Sequence, residues 1–311
     1  MKVLALSVAA ATWSGCTRSI TRTDLAWSHL VDEHRHDVDI DGLKMHYVDL
    51  GAGEPVVMIH GIGDSTYSWH RNAQALVDAG FRVILVDQPG FGRSAIPAKG
   101  WTYSVENQAE AVLQVVNRLG VDRFQLVGHS LGGGESLYLA WRHGDRITRV
   151  AVVSPVSQRT SCPFGIGTDL VALAAGTRWF TSRALRSAYY RPETVSDVMV
   201  DEYARLLDRP GRMGSGVMGG VCQGYFSPEY DRMVESYRDL EPELLIIWGE
   251  QDTWHPVAFG TRLQSLVRGS RLEVIPEAGH AVHQERVEAV NTLLVSFLRG
   301  QGSRVGRGAS R

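Results

Sequence analysis

The chain has 311 residues, 32 basic and 34 acidic side chains, a formal net charge of −2, 44% hydrophobic residues, 33 glycines and 3 cysteines. A chain of roughly 300 residues can bury about three-quarters of its extended surface, so a full hydrophobic core is available. Such values exclude a collagen, a disulfide-stapled miniprotein and a wholly disordered chain, and the near-neutral balance argues against a dedicated nucleic-acid binder.

The chain opens with Met1-Lys2, an uncharged run from Val3 to Thr12, and Trp13-Ser14-Gly15-Cys16. A basic start, a short apolar stretch and small residues have the layout of a secretory signal over residues 1–15. The run is far shorter than the ~20 residues that span a bilayer. Small residues before Cys16 resemble the bacterial lipobox, where cleavage precedes a cysteine that then receives lipid, although Trp13 departs from the aliphatic residue usual there. The expectation is an exported chain, anchored to a membrane through lipidated Cys16. An ordinary export signal and a cytoplasmic protein with a misassigned start codon stay open. Lipidation would leave Cys162 and Cys222 as a disulfide pair or as two buried thiols.

Residues 16–33 are polar and aperiodic, and read as a tether or a leading helix. Strand patterns follow at Asp37–Ile40, Met45–Leu50, Val56–Ile59, Arg82–Val86, Phe124–Val127, Ile147–Val153, Leu244–Trp248 and Leu272–Ile275. Asp41-Gly42 joins the first two as a hairpin. The later strands are apolar on both faces, as parallel strands covered on both sides must be. Helical patterns alternate with them at Trp69–Ala79, Val105–Leu119, Leu131–Arg142, Val257–Val267 and Gln284–Leu298. The expected fold is α/β: a mostly parallel, eight-stranded sheet with helices on both faces, built from residues 34–156 and 241–298.

Residues 157–240 interrupt that rhythm with helical stretches, glycine-rich patches and aromatics including Trp179, Phe180, Tyr189, Tyr190, Tyr225 and Phe226. They read as a helical cap inserted over the carboxyl edge of the sheet. A separate helical domain away from the site is the alternative. Residues 299–311 read as a disordered tail.

The chemistry centres on Gly128-His129-Ser130-Leu131-Gly132, where an apolar strand runs into a helical pattern. A serine on so tight a strand-to-helix turn occupies a strained backbone region, and its flanking positions tolerate only glycine. The serine needs a base. His129 adjoins it, but the turn directs that side chain away from the hydroxyl, and His60 ends a strand and shapes the next turn. His280 follows the last strand, on a loop that returns over the sheet edge. The base needs an acceptor, which Asp252 supplies in preference to Glu250 on the same loop. His60-Gly61-Ile62-Gly63 can aim the Ile62 amide beside that of Leu131 as an oxyanion hole. His280 and His283 have metal-ligand spacing without a third ligand, and no metal site is expected.

These residues make the chain similar to the α/β-hydrolase superfamily, in its serine-nucleophile, cap-bearing esterase and lipase-like members, over roughly Gly42 to Leu298. Asp87-Gln88-Pro89-Gly90-Phe91-Gly92-Arg93-Ser94 resembles the loop after the family's fourth strand. Leu245 to Asp252 and Glu277-Ala278-Gly279-His280 resemble its acid and histidine loops. The resemblance implies a lid-covered pocket and no cofactor. With the order Ser130, Asp252, His280, the expectation is hydrolysis of a small-molecule ester bearing an apolar group. Cleavage of a carbon–carbon bond in a β-diketone-like substrate and a non-catalytic binding role are the alternatives.

Overall fold

The computed structural model describes residues 27, 31–158, 177–208, 217, 220–221 and 228–301. Cys16, Cys162 and Cys222 lie outside these residues, as do the signal over 1–15, Tyr225, Phe226 and the tail after Gln301. Among the described residues no helix is long and apolar enough to cross a membrane.

Eight strands form one sheet: β1 (Arg35–Ile40), β2 (Leu43–Gly51), β3 (Glu54–Ile59), β4 (Phe81–Val86), β5 (Phe124–His129), β6 (Ile147–Val153), β7 (Glu243–Gly249) and β8 (Arg271–Ile275). Their order is β1-β2-β4-β3-β5-β6-β7-β8. β2 runs antiparallel to β1 and β4, and every other pairing is parallel. The β1–β2 turn uses Asp41 and Gly42 at φ of 51° and 86°, the mirror-image turn that an Asp-Gly pair favours.

Successive residues of each inner strand point to opposite faces, so a strand covered on both sides must be apolar throughout. Val57, Ile59, Ile84, Leu126 and Ile246 enter one core. It is covered by helices α2 (Val105–Arg118), α3 (Ser130–Arg142) and α7 (Val257–Leu266). Val56, Met58, Leu85, Val127 and Ile247 enter the other, under α1 (Ala73–Asp78) and α9 (Val287–Leu298). Between β6 and β7 the described elements are helices: α4 (Thr177–Ala188), α5 (Asp197–Leu207) and α6 (Pro228–Glu235).

The structure departs from the sequence reading in four places. The pattern over Trp69–Ala79 divides into a 3-10 turn, Thr66–Trp69, and the short α1. Ser65 caps that turn by accepting the Tyr67 amide. The pattern over Gln284–Leu298 divides at Arg286 into α8 (Val282–Glu285) and α9. Arg286 leaves helical backbone there and donates to the Glu277 carbonyl at 3.0 Å. The segment read as a tether or a leading helix sends Trp27 and Val31 into the core, at 6% and 1% exposure. Arg299–Gln301, assigned to the tail, close α9: the Gly300 and Gln301 amides donate to Phe297 and Ser296 carbonyls.

The sheet order reverses beside β3: the chain moves outward to β4, then crosses back to β5. Loops leaving β3 and β5 therefore diverge and open a crevice at the carboxyl ends of the strands. Burial should decide stability across this sheet. Ile246→Ala, fully buried on β7, is expected to lose about 2–5 kcal/mol in urea unfolding. Val274→Ala, on the 40%-exposed edge, should stay within about 0.5 kcal/mol.

Candidate active site

Ser130 sits at the β5–α3 junction with φ of 51°, a left-handed backbone strained for a residue with a side chain. The surrounding contacts hold it there. A Cβ at Gly128 would lie 2.2 Å from the Gly132 carbonyl oxygen, and one at Gly132 would lie 2.4 Å from that of His60. The Gly132 amide donates to the same His60 oxygen at 3.1 Å, binding the helix start to the end of β3. That contact sets the turn His60-Gly61-Ile62-Gly63 beside Leu131, whose amide lies in the first helical turn and lacks an intrahelical acceptor. Ile62 and Ser130 line one cavity.

The turn after β3 is fastened from behind. His60 Nδ1 donates to the Gly61 carbonyl at 2.8 Å, and its Nε2 accepts the Gln88 amide at 3.1 Å. Asp87 accepts the Thr66 amide on one oxygen, and the Arg93 amide and His46 on the other. Burial alone would raise the Asp87 carboxyl, but His46 and these partners hold it below the usual carboxylate range. His60 thus shapes the turn, as its place at the strand end suggested.

His280 and Asp252 meet from the loops after β8 and β7. His280 Nδ1 lies 2.8 Å from Asp252 Oδ2, and both groups are buried. Asp252 Oδ1 accepts the amides of Trp254 and His255 at 2.9 and 2.8 Å. Burial pushes that carboxyl up, and His280 with the His255 amide reverses the push, leaving it below its ordinary value. Glu250 points to solvent and accepts from Gln251. His280 Nε2 is buried without a partner among the described residues, so no hydrogen bond yet joins it to Ser130. Such bonds are often long without substrate and tighten when it binds.

Several neighbours of the base escaped the sequence reading. Trp254 stacks on the His280 ring at 5.1 Å, and His255 meets it edge-on at 4.7 Å. His129 lines the same cavity, and its Nε2 donates to the His280 carbonyl at 3.1 Å. The residue preceding the nucleophile therefore holds the loop of the base. Burial lowers His129 well below the ordinary histidine value and His255 to about 4. Both stay neutral beside a base that must accept a proton. His283 turns to Ser68 at 3.1 Å, and burial lowers it to about 3.

Helices α4 and α5 complete the cavity with Phe180, Ala184, Leu185, Tyr203 and Leu207. They face the site and do not form a detached domain. Tyr203 donates to Asp64 Oδ2 at 3.1 Å and accepts from Gln284, and Gln284 accepts from Tyr189 at 2.6 Å. Burial raises the Asp64 carboxyl to about 7. The arrangement thus sets a strained serine and a carboxylate-backed imidazole around one small, mostly apolar space, with the turn of Ile62 in its wall. It can take a proton from the hydroxyl and hold an oxyanion.

A family model described as the alpha/beta hydrolase fold matches residues 54–195. The 2-hydroxy-6-oxo-6-phenylhexa-2,4-dienoate hydrolase of Comamonas testosteroni is 28% identical over 277 residues, covering 84% of this chain and 93% of its own length. A putative non-heme chloroperoxidase of Synechocystis sp. is 28% identical over 267 residues, covering 83% and 95%. The solved meta-cleavage product hydrolase of Pseudomonas fluorescens IP01 superposes with a TM-score of 0.71 at 25% identity, covering 85% of this chain and 97% of that one. The protein is a hydrolase of the α/β type. Its fold and the arrangement of its site are those of the alpha/beta hydrolase fold, which the family model matches over residues 54–195.

Asp64 gives the fold a distinctive pH response. In the folded chain it titrates at about 7, against 3.8 ordinarily, so between those values the folded state binds the extra proton and stability falls as pH rises. Asp64→Asn removes that slope. Its melting temperature relative to the parent should climb steadily from about pH 4 to about pH 7 and then level off. A difference independent of pH would contradict this. Separately, Gly132→Ala forces backbone apart at the elbow and should cost about 3 kcal/mol or more in urea unfolding.

Proposed function

We propose that the protein hydrolyses carboxylic esters through an acyl-enzyme. His280 takes the proton of Ser130 as the hydroxyl attacks the ester carbonyl, and the amides of Ile62 and Leu131 receive the oxyanion. Asp252 fixes the imidazole tautomer and steadies the imidazolium. The alcohol leaves with the proton from His280, and water repeats the sequence to free the acid. The observation that carries this reading is the 2.8 Å bond between His280 and Asp252 beside a nucleophile elbow strained at Ser130.

The cavity suits an uncharged substrate. Its walls are apolar side chains, neutral hydroxyl and amide groups, imidazoles and one carboxyl. It encloses about 80 Å³, well under the roughly 300–1,000 Å³ of ordinary ligand pockets, which favours a short acyl group while the cap helices stay in place.

Cleavage of a carbon–carbon bond is the second reading, favoured by the similarity to the hydrolase from Comamonas testosteroni, which covers 84% of this chain. The same serine, base and oxyanion hole would serve it. For location, the basic and then apolar start with Cys16 supports export and lipid attachment there. Intact mass of the mature protein tests this, and an unprocessed amino terminus would refute it.

Ser130→Ala should abolish hydrolysis of nitrophenyl acetate and butyrate and block labelling by a fluorophosphonate, with the melting temperature preserved. Full activity in the variant would remove Ser130 from the mechanism. In the parent protein, kcat/KM should fall as the acyl chain lengthens beyond butyrate. Turnover of vinylogous diketones with no activity on esters would select the carbon–carbon reading.

A further inference from the structure

Most polar side chains around the cavity satisfy one another. Asp64 accepts from Ser65 and Tyr203, Tyr203 accepts from Gln284, and Gln284 accepts from Tyr189. Among the described residues that line it, three buried side-chain atoms have no partner: His129 Nδ1, His280 Nε2 and Thr181 Oγ1. His129 Nδ1 is a lone pair set against the backbone of Gly61, where a Cβ would lie 3.0 Å away. His280 Nε2 awaits the proton of the nucleophile.

Thr181 remains. It lines the cavity from α4, and the residue is 2% exposed. A helical threonine usually escapes such a position by turning its hydroxyl back to the carbonyl three or four residues earlier. Thr181 does not, and its hydroxyl stays buried in the wall that also contains Ser130. A buried hydroxyl is costly to leave unpaired, so an unpaired one in a substrate cavity marks the place of a substrate atom.

We propose that Thr181 hydrogen-bonds a second oxygen of the substrate, one carried by the acyl group held beside Ser130. This deepens the serine-hydrolase reading and rests on it for where the acyl group lies. The oxygen is uncharged: a hydroxyl, keto or ether group. Phe180, Ala184, Leu185 and Leu207 supply the surrounding wall, and the described lining residues include no lysine or arginine to balance an anion. The small cavity limits the acyl group to a few carbons. The fitting class is therefore an ester of a short oxygenated acid, such as a hydroxyacyl or ketoacyl ester.

Nitrophenyl butyrate and nitrophenyl 3-hydroxybutyrate form the test pair, assayed with the parent protein, Thr181→Val and Thr181→Ser. The parent should favour the hydroxylated ester in kcat/KM. Thr181→Val removes the hydroxyl at nearly constant shape and should lower that preference roughly fivefold to tenfold. Thr181→Ser should restore it. A purely structural threonine would lower both rates together and leave the ratio unchanged, which overturns the proposal. The same ratio can be read without turnover from the binding of methyl butyrate and methyl 3-hydroxybutyrate to Ser130→Ala protein by calorimetry. If neither nitrophenyl ester turns over but the Thr181-dependent binding preference holds, the ester reading fails and the subsite stands. If binding shows no Thr181-dependent difference, the subsite is refuted whatever the esters do.

Discussion

The site depends on how closely two pieces of backbone approach. At Gly132 the start of α3 rests on the end of β3, with an amide 3.1 Å from the His60 carbonyl and no room for a Cβ between them. This contact brings together two loops that the sheet order sends in opposite directions. It places the amide of Leu131 beside the turn that carries Ile62, and it forces Ser130 into a left-handed conformation. A strained serine is tolerable because both neighbouring strands are buried in the middle of the sheet and cannot yield locally.

Around that contact the protein stacks buried polar groups whose charges are arranged to keep the base in control. Asp87 and Asp252 are held ionised, each by several donors. His129 and His255 are held neutral by burial, although both touch the ring or carbonyl of His280. Of these three imidazoles only that of His280 is hydrogen-bonded to a carboxylate, and it can take a proton without facing a second positive ring. Trp254 covers its face with the negative side of an indole, an arrangement that suits an imidazolium.

Much of this was legible in the sequence because it is encoded locally. The elbow, the His-Gly turn and the loops of Asp252 and His280 each combine a strand, a turn and the reactive residue within a few positions. Strand limits were recovered to within two residues because strands buried on both faces are apolar throughout. Contacts between distant segments were not legible. Trp254 and His255 adjoin Asp252, yet nothing in their spacing indicates that they flank the ring of His280. Nothing in the sequence singles out Asp64, whose burial in the folded chain raises its carboxyl to about 7. Trp27 lies in a polar, aperiodic stretch, so its docking edge-on against Tyr67 had no periodic signal. The break at Arg286 follows from Glu277, which belongs to another loop.

One set of bonds near the cap bears on the admission of substrate. The carboxylate of Glu285 accepts the amide of Gly279, just before the base, and also those of Tyr190 and Arg191, just after α4. The Ala281 amide donates to the Ala188 carbonyl at the end of that helix. The loop of the base and the hinge end of the lid are therefore one mechanical unit. An outward displacement of α4 would pull on the backbone on both sides of His280, so any substrate that displaced this helix would also disturb the base.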